Sequence, residues 1–299
     1  MIMKDEQTGD LFIFGAAVLG GLLPIITVLS YRGVPSIISL AISTFLSSIF
    51  FLAIILYKKR LHELKNPLLW KYVLYIVLFI GILGYIFYYL GLTMTTPGNA
   101  GIIGLFEICT SYIFFNLIRK EHFSFESKVG AALMAFGAVI VLAPNFSALN
   151  LGDLFILIST FFWPIGNLFQ QKAKLIASTE TVLFLRSLVA TPFLFLIAYA
   201  FGQYLEFAEV KESLPFLLVS GFILFGVSKI FWLEGISRIS VTKANAIHSL
   251  GPLVTLFFAW IVLHQSPTIW QITSLVPFFF GVLLLTNNLK LKYEHTETN

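Results

Sequence analysis

Ten stretches of this 299-residue chain are each long and apolar enough to be poorly suited to water, and that pattern leaves few folds open. They cover 10–29, 36–57, 69–91, 97–118, 128–145, 152–170, 179–201, 214–236, 242–263 and 268–288. A bilayer's hydrocarbon core is about 30 Å thick and takes roughly 20 helical residues at about 1.5 Å each. Lipid offers the backbone no hydrogen bonds, so each span must satisfy its own, as a helix does. The connectors are short and polar, or marked by Pro and Gly: Arg32–Pro35, Lys58–Pro67, Thr96–Gly98, Pro144–Gly152 and His264–Pro267. Charged residues make up only 11% of the chain, where a soluble domain carries about 25%. The expected class is an all-α integral membrane protein of ten transmembrane helices. The formal charge of +4 does not point to nucleic acid, because the basic residues are scattered between apolar runs. The single cysteine, Cys109, excludes an intrachain disulfide. The opening MIMKDEQTGD lacks a positive n-region and a cleavage site, so the first run is expected to stay as a helix.

Lys and Arg in the connectors set the orientation. With the N-terminus in the cytoplasm, fifteen of the nineteen fall on the cytoplasmic side, and only Arg32 and Lys211 fall outside. The remaining two, Arg186 and Lys229, lie within helices. This predicts ten crossings of the cytoplasmic membrane, with both termini cytoplasmic. The chain also repeats itself. Gly9-Asp10-Leu11-Phe12-Ile13 recurs as Gly152-Asp153-Leu154-Phe155-Ile156, a shift of 143. With a shift of 144, Ile86-Phe87 matches Ile230-Phe231, Gly91 matches Gly235, and Phe136-Gly137 matches Phe280-Gly281. A five-helix unit is odd, so its second copy starts on the opposite membrane face. The expected units are 1–146 (helices 1–5) and 147–299 (helices 6–10), an inverted repeat whose interface can open alternately to either side.

These features resemble the EamA-type branch of the drug/metabolite transporter superfamily. The likeness spans nearly the whole chain as two EamA-like repeats. It rests on the Gly-Asp-Leu openings, Trp163, Phe184-Leu185-Arg186, the unit Gly91–Leu142 repeated as Gly235–Leu285, and the acidic turn Lys120-Glu121. Gly20 stands where the family's first repeat often has Trp, Ser43 where it often has Arg, and Gln265 replaces the second acidic turn. The resemblance implies a basket of ten helices around a central cavity lined mainly by helices 1, 3, 4, 6, 8 and 9. It also implies that helices 2 and 7 move as gates.

Ionisable groups inside lipid are costly unless paired or hydrated, so each calls for an explanation. With the fourth stretch running from Pro97 outside to Leu117 inside, Glu107 falls near the midplane. Arg186, Lys229 and His248 each fall roughly 6 Å from it towards the cytoplasm. Two readings stay open. In one, Lys229 and His248 grip an anionic group, while Glu107 binds an ammonium, carries a proton, or holds the lysine when the site is empty. In the other, Glu107 pairs with Lys229 or Arg186 and only registers the two repeats. Arg186 is also near enough to the cytoplasmic end to snorkel there. His248 and Ser249 could instead bond a neighbouring helix. Asn167 and Asn245 complete the polar candidates. Trp163, Tyr85, Tyr88, Tyr89 and Trp232 are candidate walls, and Tyr85 occupies the repeat position of Lys229. Pro24, Pro164, Pro192, Pro252 and Pro277 interrupt apolar runs, either as packing kinks or beside a cavity. Ser36, Ser39, Ser43 and Ser47 share one face of the second helix, a smooth surface for close packing or for sliding.

No phosphate-binding loop, HExxH or Cys/His metal spacing occurs, so neither ATP hydrolysis nor a metal or other cofactor is expected. The expected activity is secondary active transport, as an exporter or exchanger, of a small polar metabolite such as an amino acid or related carboxylate by alternating access. The alternative substrate is a larger anionic or nucleotide-like metabolite. Readings of a different class are an intramembrane enzyme, with Glu107 and His248 as an acid/base pair, and a sensor. The expected partners are the lipid bilayer, a small-molecule substrate and a candidate coupling proton, with no nucleic acid. A single copy suffices for the cavity, and a homodimer stays open.

Overall fold

The computed structural model describes residues 2–119, 124–142, 150–206, 210–239, 244 and 247–285. Among them the secondary structure is helical, without strands. In chain order the long segments are α1 (Ile2–Ser30), α2 (Ser36–Tyr57), α3 (Pro67–Leu92), α4 (Pro97–Gly104 and Phe106–Arg119), α5 (Phe125–Leu142), α6 (Leu151–Lys174), α7 (Thr179–Ala200) and α8 (Val210–Gly235). Two shorter apolar helices follow, α9 (Gly251–Leu263) and α10 (Ile269–Leu285). The first eight are long and apolar enough to cross a membrane.

Local chemistry sets these boundaries. Asn66, Thr96, Asn150 and Ser178 open α3, α4, α6 and α7, each side chain accepting a backbone N–H of the first turn. Pro67 and Pro97 fill first-turn positions whose N–H would be idle anyway. The same rule corrects one expectation. Pro252 does not interrupt a helix but stands in the first turn of α9, whereas Pro24, Pro164, Pro192 and Pro277 lie inside helices. Two features are invisible to hydropathy. α4 breaks at Leu105, and the middles of α3 (Val77–Gly84) and α8 (Val219–Val227) are wound as π-helix.

Helices approach closely where glycine leaves room, as expected when lipid gives no hydrophobic reward for association. On α5 and α10, a Cβ added to Gly130 would lie 2.9 Å from the Gly281 carbonyl oxygen, and one on Gly281 would lie 2.6 Å from Met134. The end of α3 meets the start of α6 in the same way. A Cβ on Gly91 would stand 2.8 Å from the Gly152 oxygen and the same distance from Ile156. The end of α8 meets α1 with Gly235 against Ile13.

α2 and α7 pack side by side. The α2 serines are all buried; Ser39 bonds Ser30 at 2.5 Å and Ser47 faces Ser187 at 3.3 Å. At one end of this seam Glu180 accepts from Lys58 and, at 2.9 Å, from Arg60. At the other, the Ile37 N–H donates to Gln203 at 2.8 Å. The bundle as a whole has the same polarity. At the Glu180 end, Glu234 binds Lys174 at 3.2 Å and Arg238 at 2.6 Å, and Glu63 accepts from the Ser178 N–H at 2.8 Å and hydroxyl at 2.7 Å. At the Gln203 end, buried Asp153 accepts from Thr95 and Asn99, Gln271 donates to Asn99 at 2.8 Å, and Tyr31 donates to the Tyr89 carbonyl at 2.9 Å.

Candidate functional site

A cavity of about 170 Å³ lies between α1, α3, α4, α6, α7, α8 and the start of α9. One water needs roughly 10–15 Å³ by the same measure, so there is room for several waters or a small solute. Ala16, Gly20, Gly21 and Pro24 of α1 form one wall, and Gly101, Gly104 and Glu107, around the break in α4, form another. Irregular backbone at this depth is tolerated where it borders such a space.

Seven of the residues singled out from the sequence line this one cavity: Tyr85, Glu107, Trp163, Asn167, Arg186, Lys229 and His248. Asn245 lies outside the described residues. Glu107 Oε1 accepts a hydrogen bond from Asn167 Nδ2 at 3.1 Å, tying α4 to α6. Lys229 sits with Nζ 5.9 Å from the centre of the Tyr85 ring, the residue that the 144-residue shift equates with it. The ammonium bears electrostatically on both Glu107 and His248. His248 meets Trp232 edge to face, with ring centres 4.9 Å apart. Its Nε2 borders Gly20, where an added Cβ would stand 3.4 Å away. Trp163 leans on Tyr88 at 5.6 Å and lies over Gly84.

Two expectations are corrected by this geometry. No described ion pair joins Glu107 to Lys229 or Arg186, so neither the direct pair that would only register the repeats nor a Glu107 that holds the lysine in the empty site is found. Asn167 takes up the carboxylate instead. Arg186 does not snorkel to an end of the bundle: it is 3% exposed, lines the cavity beside Tyr85 and Gly81, and its Nη2 has no hydrogen-bond partner. Of the other aromatic walls, Tyr88 and Trp232 reach the cavity, while Tyr89 is fully buried and absent from its lining.

Sequence reasoning missed Gln170, Ser228 and Thr255, which also line the space. Gln170 could have been found, because it follows Asn167 by one helical turn on the same face. Thr255 bonds the Gly21 carbonyl at 2.7 Å, a contact between distant segments that no local pattern announces.

The family model described as the EamA-like transporter family matches residues 7–143 and again 150–287. The chain belongs to that family. With its apolar helices it is a multi-pass membrane protein, and its family points to a transporter rather than an enzyme. Among curated relatives, the uncharacterized transporter sll1164 of Synechocystis is 27% identical over 67% of this chain, and the match spans 60% of that protein's length. The uncharacterized transporter YoaV of Bacillus subtilis is 21% identical over 79% of this chain and 82% of its own. YetK of the same organism, also an uncharacterized transporter, is 33% identical over 44% of this chain and 41% of its own. Among the solved structures that match, one crystal structure has a TM-score of 0.73 and 18% identity, covering 95% of this chain and 98% of that one, a likeness of fold alone.

Proposed function

We propose that this EamA-like protein is a secondary transporter, an exporter or exchanger, that carries a small zwitterionic or anionic metabolite through the central cavity by alternating access. Amino acids and related carboxylates are the class it fits. The observation that carries the reading is a set of opposite charges held apart in one buried space. Glu107 stands on one wall, while Lys229 and Arg186 stand elsewhere with no ion-pair partner among the described residues. Charges left unpaired in lipid are expensive unless a ligand or water meets them. An ammonium at Glu107 and a carboxylate shared by Lys229 and Arg186 would complete the arrangement, with Trp163, Tyr88 and Trp232 packing the remainder. The cavity's modest volume favours such a solute over a nucleotide-like one.

The architecture proposed for this cycle is ten crossings in two inverted units, 1–146 and 147–299, with α9 and α10 as the last two. Matching contacts support it. Gly91 meets Ile156 and Gly235 meets Ile13; Gly137 meets Phe278 and Gly281 meets Met134. Under the shifts of 143 and 144 each contact maps onto its partner. The π-helical stretches of α3 and α8 fall at corresponding places too. We place both termini, and the end rich in ion pairs, on the cytoplasmic side of the cytoplasmic membrane, as the Lys and Arg distribution favours.

The test is uptake into liposomes reconstituted with the full chain, across a metabolite panel. Glu107→Gln and Lys229→Met variants that still fold are expected to lose at least tenfold in flux of the transported compound. Full activity in both variants would remove the cavity as the substrate site. The proton role of Glu107 is tested separately, and flux indifferent to an imposed pH gradient would eliminate it.

A further inference from the structure

We propose that between substrates the cavity holds one small monovalent inorganic anion, chloride in ordinary media, at Arg186, and that the anionic group of the substrate displaces it. The first half stands on Arg186 itself; the displacement rests on the transport reading above.

Arg186 reaches the cavity from the third turn of α7, buried, with its stem passing Gly81 and its guanidinium near Tyr85. Nη2 donates to nothing, and no described carboxylate pairs with the group. A guanidinium cannot escape by losing its proton. Lys229, whose Nζ lies 5.9 Å from the centre of the Tyr85 ring, is a second cation without a described ion-pair partner. Glu107 is the one carboxylate among the described residues of the cavity lining, and it is bonded to Asn167. The cavity therefore carries more positive than negative charge inside a low-dielectric bundle. The same field that would draw a substrate carboxylate draws a counter-ion when none is present. A single charge suffices to balance the excess. A halide also fits where a larger polyvalent anion would have to give up more of its hydration than two cations return.

The experiment uses the full chain purified in gluconate buffer. Thermal unfolding is followed while chloride or bromide is added, against gluconate at matched ionic strength, and binding of radioactive chloride is measured on the same material. We expect a saturable rise of about 2–4 °C with either halide, and bound chloride that a transported metabolite removes. Arg186→Gln is expected to abolish both signals, and Arg186→Lys to weaken them. Glu180→Gln, away from the cavity, is expected to keep them. If Arg186→Gln fails to fold, the chloride affinity of Arg186→Lys decides, and wild-type affinity there overturns the proposal. So does an equal response to gluconate, or chloride binding that survives Arg186→Gln. Chloride bound at Arg186 in a protein that moves no metabolite would overturn the transport reading and leave the anion site standing. Metabolite flux without any bound chloride would do the reverse.

Discussion

The two ends of the bundle are fastened by different chemistry. At one, Asp5, Glu63, Glu180 and Glu234 meet Lys58, Arg60, Lys174, Arg238 and Ser178 in a mesh of mostly charge-assisted contacts. At the other, Asp153, Thr95, Asn99, Gln271, Gln203 and the Tyr31 hydroxyl are joined mainly through amides and hydroxyls. Several of the ionic partners are substantially exposed: the side chains of Lys58, Arg60 and Asp5 are 43%, 36% and 69% accessible, whereas Asp153 is fully buried. Ion pairs open to water are screened and contribute little, while an acceptor taken from a buried network leaves its donors stranded. The sparser end is thus expected to be the stronger one per contact, and the ionic end the one that solvent conditions can loosen.

The largest effect is expected from Asp153→Ala, about 2–3 kcal/mol of apparent stability, because the donors of Thr95 and Asn99 lose a buried acceptor. Thermal unfolding in detergent measures it, and the loss should be the same at low and high salt. A deficit that vanished in high salt would erase the proposed difference between the ends. Glu180→Gln is expected to cost about 1 kcal/mol, discounted for the exposure of Lys58 and Arg60. That deficit should shrink by half or more in 0.5 M salt, where the Debye length is about 4 Å against about 10 Å at 0.1 M; a salt-independent loss would place Glu180 in the same class as Asp153.

The smallest effect concerns acid. Burial works to raise the Glu63 carboxyl, but hydrogen bonds from Thr181 and Ser178 and the Arg60 charge outweigh it, so Glu63 titrates below its ordinary value of 4.5. A depressed folded-state value means stability that is present above the unfolded value and lost as pH falls through the folded one. The melting temperature of the wild type should therefore fall more steeply than that of Glu63→Gln as pH drops below about 4.5. Parallel curves would show that Ser178 gains nothing from the charge.

Much of this was legible in the sequence, for identifiable reasons. α2 came out at the expected 36–57 because Pro35 precedes it and a run of basic residues follows. α1 runs upstream of the expected 10–29, since Asp5 and its polar neighbours suit a helix start although they are not apolar themselves. Glu107, Lys229, His248 and Arg186 stood out because charge in lipid is rare enough to need a cause. Their partners did not stand out. That Asn167 holds Glu107, that Glu180 takes Lys58 and Arg60, and that Glu234 takes Lys174 depends on contacts 60 or more residues apart along the chain. The break at Leu105 and the π-helical stretches leave no trace in composition, because they change how the backbone is bonded and not which residues are apolar.

The long seam between α2 and α7 constrains how such a bundle can rearrange. Parting these helices along their whole length would tear the Glu180 clasp at one tip, unhook Gln203 at the other, and expose the serine strip between them. Swinging the other helices about an intact seam keeps the Glu180 and Gln203 contacts but has to part Ser39 from Ser30 of α1 and Ser47 from the Phe225 carbonyl of α8. Any rearrangement of the bundle therefore carries a cost at this strip, whether its two helices part from each other or the rest of the bundle turns about them.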